Sequence, residues 1–465
     1  MRKKGLLGLA GLLIVILLLL PLLDGIIVKE KLNTMLHTFR QRRMQINLVN
    51  YHLGWLHSTA VVSVKIPERR WATRILIDIR QGPLLIDLQH PALTRWAWTL
   101  FDTKALPASA NVKPMLASQA LVKARAYWHF NHRIVGSWQT FSIEQQENTR
   151  GIAIHWPGMQ GNFQYLLNKQ QWIFHGIVGG LSANWANNHV FITPLIFSME
   201  GQTYLHSNWL GDMQLHIPSI IWQQQGEDKL VIQAVNIETQ HRAGTVNLRL
   251  DERNKIHIQQ WSYRDHHYAP SDFSFSGKNL TPTALMLRRY LIAQWGQQIL
   301  RQHALFKPRA WIDLSQRLVD DYKIILAQGG SIDAQAKLET SFGLSQLSFT
   351  AKRAIQAKAT GALMLQAHLQ LPQSLAKLLL YRGYRGLPTR ITAANPSLTT
   401  EELTDRLLHR YQAMNLIVAQ DDNYLSDLYY KNNDLKINGI SRGIDILKHL
   451  PLEPGPVIFN KPKLK

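Results

Sequence analysis

From Met44 to about Asn279, apolar and polar positions alternate with a period of two. Ile46/Leu48, Val62/Val64/Ile66, Ile75/Ile77/Ile79, Ile152/Ile154, Leu215/Ile217, Val246/Leu248/Leu250 and Ile256/Ile258 all place apolar residues two apart. Successive side chains of a strand point to opposite faces, so this pattern predicts antiparallel sheet with one packed face and one wet face. Turn formers punctuate the intervals, as in "RQGP", "HWPGMQGN", "QGED" and "DERNK". Strand follows strand without regular helices. The expected class is therefore α+β, predominantly antiparallel β, built as a curved sheet or elongated sandwich rather than an α/β fold.

Helical spacing enters later. Thr281-Pro282 pairs an N-cap residue with a first-turn proline, and Leu287, Leu291, Trp295 and Ile299 recur every four residues behind it. A second helix, about Arg309 to Ala327, carries Leu314, Leu318, Tyr322 and Ile325 and stops at Gly329-Gly330. Residues 282–328 are thus expected to form a helical hairpin. Strands resume in the C-terminal α+β region, 329–465. Within it, Thr399 and Glu402 form a capping box ahead of Leu403, Leu407, Tyr411, Met414 and Val418. A hairpin is expected over Tyr424–Gly439, turning at Asn432-Asn433-Asp434.

The amino terminus reads differently again. Met1-Arg2-Lys3-Lys4 precedes an uncharged run from Gly5 to Leu23. As a helix the run spans about 28 Å, close to the thickness of the hydrocarbon core. The basic head also suits a cleaved signal peptide, but Pro21 to Gly25 offers no small-x-small cleavage site. Residues 1–23 are expected to be a retained single-pass anchor with the carboxy-terminal body exported. Ile27, Leu32, Met35, Leu36 and Phe39 then keep helical spacing among bases, predicting an amphipathic juxtamembrane stalk over 24–43. Residues 44–281 form the expected β-rich periplasmic region.

Composition adds two constraints. Lys and Arg number 52 against 31 Asp and Glu, a net charge of +21, which attracts anionic partners such as a membrane surface or a polyanion. The absence of cysteine excludes disulfides, thiolate metal sites and cysteine nucleophiles. The bases are scattered rather than gathered into a nucleic-acid-binding motif, and no nucleic-acid partner is expected.

Chemistry is sparse. Nineteen histidines invite a metal, yet no HExxH or comparable pair occurs, and no cofactor is expected. Asp265-His266-His267 reads as a polar loop; His155 and His257 read as exposed strand residues. No G-x-S-x-G elbow and no phosphate-cradling glycine loop is present. Asp320-Asp321 suits charge pairing on a helix, and Asp421-Asp422 a helix-to-strand turn. The segment Ser374–Arg390 brings Lys377, Arg382, Arg385 and Arg390 close to Leu375, Leu378 and Leu379. It suits contact with anionic lipid, or an ordinary helix packed on the sheet.

"YHLGWLHS" at Tyr51–Ser58, with Gly54 and Trp55 inside it, precedes an apolar strand; "GPLLI" follows from Gly82 and Pro83. The chain closes with "YYKNNDLKING", containing Tyr430, Asn432, Leu435, Asn438 and Gly439. Together with the anchor, these segments resemble the YdgA-like family of bacterial envelope proteins, grouped under a domain of unknown function. In that family a His precedes Gly-Pro, where this chain has Gln81. Leu56 stands where a second aromatic is common, and Asn433 replaces the first hairpin glycine. The resemblance implies an inner-membrane anchor with a periplasmic body, and supplies no catalytic residues. The expectation is a non-enzymatic binder of a lipid, an envelope polymer or an envelope protein. The alternative is a membrane-tethered hydrolase of envelope polymers. The Tyr51–Ser58 stretch itself reads as a corner, Gly54 permitting the turn and Trp55 fastening it to the core.

Overall fold

The computed structural model describes residues 21, 23–33, 45–66, 71–82, 85, 97, 99–107, 121–147, 152–185, 188–204, 208–224, 229–246, 248–263, 266–268, 270–281, 326, 329–353, 363–385, 399–431 and 434–442. The expected anchor over 1–23 lies almost wholly outside them, as does the helical hairpin over 282–328, apart from Leu326. Among the described residues no helix is long and apolar enough to cross a membrane.

The chain divides into two compact units, residues 1–203 with 213–228 and residues 204–212 with 229–465. The expected single β-rich region, 44–281, is therefore split. Its last strands belong with the C-terminal region rather than with the first strands, because they pair with strands beyond residue 330.

In the first unit, β1 (Gln45–His52), β2 (His57–Ile66), β3 (Trp71–Gln81), β4 (Thr99–Pro107), β5 (Val122–Trp128) and β6 (Arg133–Thr140) pair in chain order. The ladder then runs through β9 (Met159–Leu166), β10 (Gln171–Val178) and β13 (Leu195–Tyr204), skipping β7 (Ile143–Glu147), β8 (Ile152–Trp156), β11 (Leu181–Trp185) and β12 (Asn188–Ile192). The skipped strands pair among themselves, β7 with β8, β8 with β11 and β11 with β12, and β12 pairs on with β14 (Asn208–Gln224). Each skipped strand continues a ladder strand after a two-residue break, at 141–142, 157–158, 179–180 and 193–194. The breaks fall at one level across four strands. Side-chain and backbone bonds secure that level: Met159 N–H donates to Thr140 Oγ1 at 2.8 Å, and Gly179 N–H to the Gly158 carbonyl at 2.7 Å.

The predicted period of two is the burial pattern. Ser58, Ala60, Val62 and Val64 on β2 are buried, while Thr59, Val61 and Ser63 between them are more exposed. On the same face further along, aromatic rings lie over glycines of the neighbouring strand. A Cβ on Gly136 would come within 2.7 Å of the Phe163 ring, and one on Gly176 within 2.6 Å of the Phe197 ring. Phe163 and Phe174 stack, with centroids 5.9 Å apart. Glycine removes the side chain that would hold a ring away, so large residues pave the sheet without steric conflict.

Residues 23–33 are helical, and the rest of the expected stalk, to residue 43, lies outside the described residues. The helix is not a free juxtamembrane stalk, however. Val28 is buried with Ala60 and Ile79, and Leu32 packs against the same cluster. The face that meets the sheet carries Val28 and Leu32, while Ile27 of the predicted stripe is exposed and Met35, Leu36 and Phe39 lie outside the described residues.

The second unit follows the same rule. β15 (Lys229–Ala243), β16 (Leu250–Tyr263), β18 (Ser271–Leu280), β19 (Gly330–Thr340), β20 (Gly343–Arg353), β21 (Leu363–Pro372), β23 (Asn423–Lys431), β24 (Asp434–Ile437) and β25 (Ile440–Ser441) form one antiparallel ladder. Its core joins Leu250, Leu280, Ile332, Ala351, Leu365, Tyr430 and Leu435. Helix α1 (Gln373–Arg385) buries Leu375 and Ala376, in line with an ordinary helix packed on the sheet. Helix α2 (Thr400–Ala413) begins at the predicted capping box: Thr399 N–H donates to Glu402 Oε2 at 2.7 Å, and Glu402 N–H to Thr399 Oγ1 at 3.2 Å. The Thr399 N–H, and the Thr399 hydroxyl that also donates to Glu402 Oε2 at 3.1 Å, hold the Glu402 carboxyl below its ordinary pKa.

Three local expectations are corrected. Val418 is not the last turn of α2 but starts the short strand β22 (Val418–Gln420), because the helix ends at Ala413. Asp421-Asp422 therefore links two strands rather than helix to strand, with Asp421 at φ 51. His266-His267 is no loop; it lies in β17 (His266–Tyr268), where Tyr268 stacks on Trp261 at 3.8 Å and draws the segment into the ladder. The closing hairpin forms as expected, with Asp434 already in β24 and Asn432 and Asn433 outside the described residues.

Gly161 tests how tightly the ladder is packed. A Cβ there would lie 2.3 Å from the His175 carbonyl oxygen, so Gly161→Ala is expected to cost about 1–3 kcal/mol, measured as a lower denaturation midpoint of the intact chain.

Candidate functional site

The residues of the amino-terminal motif converge, but on a clasp rather than a catalytic centre. The Tyr51 hydroxyl donates to the Gly25 carbonyl at 2.7 Å, and Lys29 Nζ lies 5.7 Å from the centre of the Tyr51 ring. Ser58 is fully buried; its Oγ accepts the Gly54 N–H at 3.1 Å and donates to the Gln81 amide oxygen at 2.8 Å. The Gln81 amide nitrogen in turn faces the carbonyls of Trp55 and Pro21. Gln81, standing where the family pattern has His, thus ties the corner at Trp55 to Pro21, ahead of the helix over 23–33. Gly54 has to be glycine, since a Cβ would meet the His57 carbonyl oxygen at 2.1 Å. Gly82 turns the chain away with φ 145, and Pro83 lies outside the described residues.

Trp55 does not fasten the corner to the core. It is 49% exposed, and the anchoring role falls to Tyr51 and Ser58, whose side chains lie on the helix side.

Asp24 sits at the same clasp. It is buried, its Oδ2 has no hydrogen-bond partner among the described residues, and burial pushes its pKa up from 3.8 to about 6.

The carboxy-terminal motif is a second clasp. Tyr430 and Leu435 belong to the core. Asn438, in left-handed backbone with φ 48, accepts the Asp427 N–H at 2.7 Å and donates to the Asn415 carbonyl at 2.9 Å. Gly439 follows at φ 83. These bonds fix the hairpin to the end of α2.

Of the four cations singled out for lipid contact, Lys377 is engaged within the fold. Its Nζ lies 2.9 Å from Asp405 Oδ1, and that hydrogen bond raises the lysine pKa. Arg382 and Arg385 lie within α1, and Arg390 lies outside the described residues.

His241 is buried, with its Nε2 3.5 Å from Glu252 Oε1 and its ring against Trp209, whereas three other histidines form exposed pairs. His57 contacts Asp78, His257 lies 2.8 Å from Asp272, and His368 lies 2.7 Å from Asp427. Among the described residues no three His, Asp or Glu side chains gather to hold a metal.

The feature that stands apart is on the wet face of the first ladder. A trough of about 1260 Å³ crosses eight strands, β2, β3, β4, β5, β6, β9, β10 and β13. Register builds it. Thr59 stands opposite Asp78, Asp78 opposite Asp102, and Asp102 opposite Arg125. The row continues through Ser137, Asn162, His175 and Ser198. Directly opposed residues share a face, so every member of this row is polar and points to one side. Two residues along each strand runs a second row on the same face, with Lys104, Lys123, Gln139 and Gln160 at its middle and apolar residues at its ends. Seven interstrand steps of about 4.8 Å give the trough a length of about 34 Å.

No sequence motif marked this row. The only sequence signal is that the polar positions of successive strands carry hydroxyls, amides and charges together; their alignment needs the register.

The family model described as "Bacterial protein of unknown function (DUF945)" matches residues 1–441. The chain belongs to the DUF945 family. This agrees with the resemblance to YdgA-like proteins and covers both clasps and the trough. No curated protein and no solved structure matches the chain.

Two outcomes follow for this DUF945 chain. Because the folded pKa of Asp24 exceeds 3.8, the folded state binds more protons between pH 4 and 6, and stability falls as pH rises through that window. Asp24→Asn is expected to remove that slope and to raise the thermal midpoint at pH 7. Separately, Gly54→Ala should lower the denaturation midpoint markedly, while Trp55→Ala and His52→Ala each change stability by about 0.5 kcal/mol or less.

Proposed function

We propose that this protein is a non-enzymatic binding protein of the bacterial envelope. In this reading its amino-terminal segment holds it at the inner membrane, its body is periplasmic, and its trough takes an extended polar polymer. The observation that carries the reading is the unbroken polar row across eight strands, Thr59 to Ser198.

Three features support a polymer over an acyl chain or a compact substrate. The trough is long and open rather than closed around a small molecule. Along its middle the groups are hydroxyls, amides, carboxylates and cations, with Val61, Leu76, Ile177 and Ile196 at the ends, and the polar stretch suits a chain offering many hydroxyls. An acyl chain laid along them would strip water from polar groups without replacing their hydrogen bonds, at about 1–3 kcal/mol for each.

The rival reading, a hydrolase, draws on Asp78 of the trough lining and the His57 that contacts it. The described hydrogen bonds join no hydroxyl to this pair, and His–Asp contacts of the same kind recur at His257–Asp272 and His368–Asp427 in the other unit. They serve as ordinary cross-strand surface pairs.

A carboxy-terminal alkaline phosphatase fusion is expected to be active, placing the body outside the cytoplasm; an inactive fusion with a fluorescent counterpart would sink the localisation. Envelope polysaccharide should be retained by the detergent-solubilised full chain and lost on Asn162→Trp, which fills the trough from its exposed side. His57→Ala should leave retention unchanged, and polymer length should not fall on incubation with either protein.

A further inference from the structure

Besides Asp78 opposite Asp102, whose carboxylates contact His57 and Arg125, a second pair of like charges in the trough opposes folding. Lys104 on β4 stands directly opposite Lys123 on β5, and both are exposed on the trough face. Like charges directly opposite on neighbouring strands destabilise a sheet. Their row offers no relief, since the flanking residues are Leu76 and Gln139. The two carboxylates of the trough are engaged elsewhere. Asp102 accepts from Arg125 Nε at 2.7 Å, and Asp78 contacts His57. Among the described residues neither lysine has an acidic partner, and Arg80 adds a further cation to the lining.

We infer, resting on the reading of the trough as a polymer site, that the polymer is anionic and that one of its carboxylate or phosphate groups is bound between Lys104 and Lys123. An anion there replaces a repulsive pair with two charge-assisted hydrogen bonds. The amides of Gln139 and Gln160, next along the row, then meet hydroxyls of the adjoining unit. The net charge of +21 draws a polyanion toward the body before it docks. An anionic lipid head group carries the same charge, but the lysines sit at the middle of the polar row, with the exposed Leu76, Ile177 and Ile196 confined to its ends.

The test uses the detergent-solubilised full chain with four probes: polygalacturonate, linear polyphosphate, neutral dextran, and vesicles of phosphatidylglycerol. The variants are Lys104→Gln/Lys123→Gln, the charge-keeping Lys104→Arg/Lys123→Arg, and Asn162→Trp. Affinity for polygalacturonate or polyphosphate is expected to fall about 10- to 100-fold in the glutamine variant. It should be kept in the arginine variant and weaken with added salt, with dextran binding unaltered. The unliganded glutamine variant should melt no earlier than the natural chain, since a repulsion has been removed. Unchanged affinity for both anionic polymers in the glutamine variant overturns the anion site, and the trough reading survives that result if Asn162→Trp still abolishes binding. Failure of the natural chain to bind any polymer overturns the trough reading itself. Lysine-dependent binding to vesicles alone overturns the polymer in favour of a lipid head group.

Discussion

Antiparallel backbone pairing is the constraint from which the rest of the structure follows. In each unit one strand hands its unsatisfied N–H and C=O groups to the next, and the ladder of hydrogen bonds fixes which residues stand opposite. Because side chains alternate across a strand, register decides in one step what is buried and what is wet. A slip of one residue on β3 would carry Ile77 and Ile79 to the wet face and Asp78 into the core. The apolar positions make that slip costly, so the core and the trough are two consequences of one registration.

The two motif clusters have a common physical role. Each holds the end of an element that hydrophobic contact alone would leave loose. At the amino terminus, Tyr51, Ser58 and Gln81 bind carbonyls and amides at the corner between β1 and β2, while Val28 supplies the apolar contact with the sheet. At the carboxy terminus, Asn438 and Asn415 exchange bonds that lock the closing hairpin to the end of α2. Buried polar groups must be paired, and such pairing needs particular residues at particular places. That is why short, recognisable motifs can be structural. Asp24 departs from this rule, its Oδ2 unpartnered among the described residues, and its burial raises its pKa.

How much was legible varied with the range of the interaction. The strands from Ile46 to Ile258 were legible because alternation is local, and the capping box at Thr399 and Glu402 because its partners are three residues apart. The ends were less so: Val418 kept helical spacing beyond Ala413, yet pairing with Leu425 placed it in a strand. Trp55 looked like a core residue from its bulk, but its neighbours on the helix side, Tyr51 and Ser58, already filled that role. Membership of the DUF945 family was visible in Tyr51–Ser58 and Tyr430–Gly439, whose residues cluster within short segments.

The amino-acid sequence by itself determined the strand period, the caps, the absence of thiol chemistry and the excess of positive charge, because each depends on residue type or on spacing within a few positions. Only the tertiary structure decided that Asp78, Asp102, Arg125, Ser137, Asn162 and His175 form one row and that Lys104 faces Lys123. Those residues are separated by tens of positions in the chain. Nothing but the hydrogen-bonded register of eight successive strands brings them to one face.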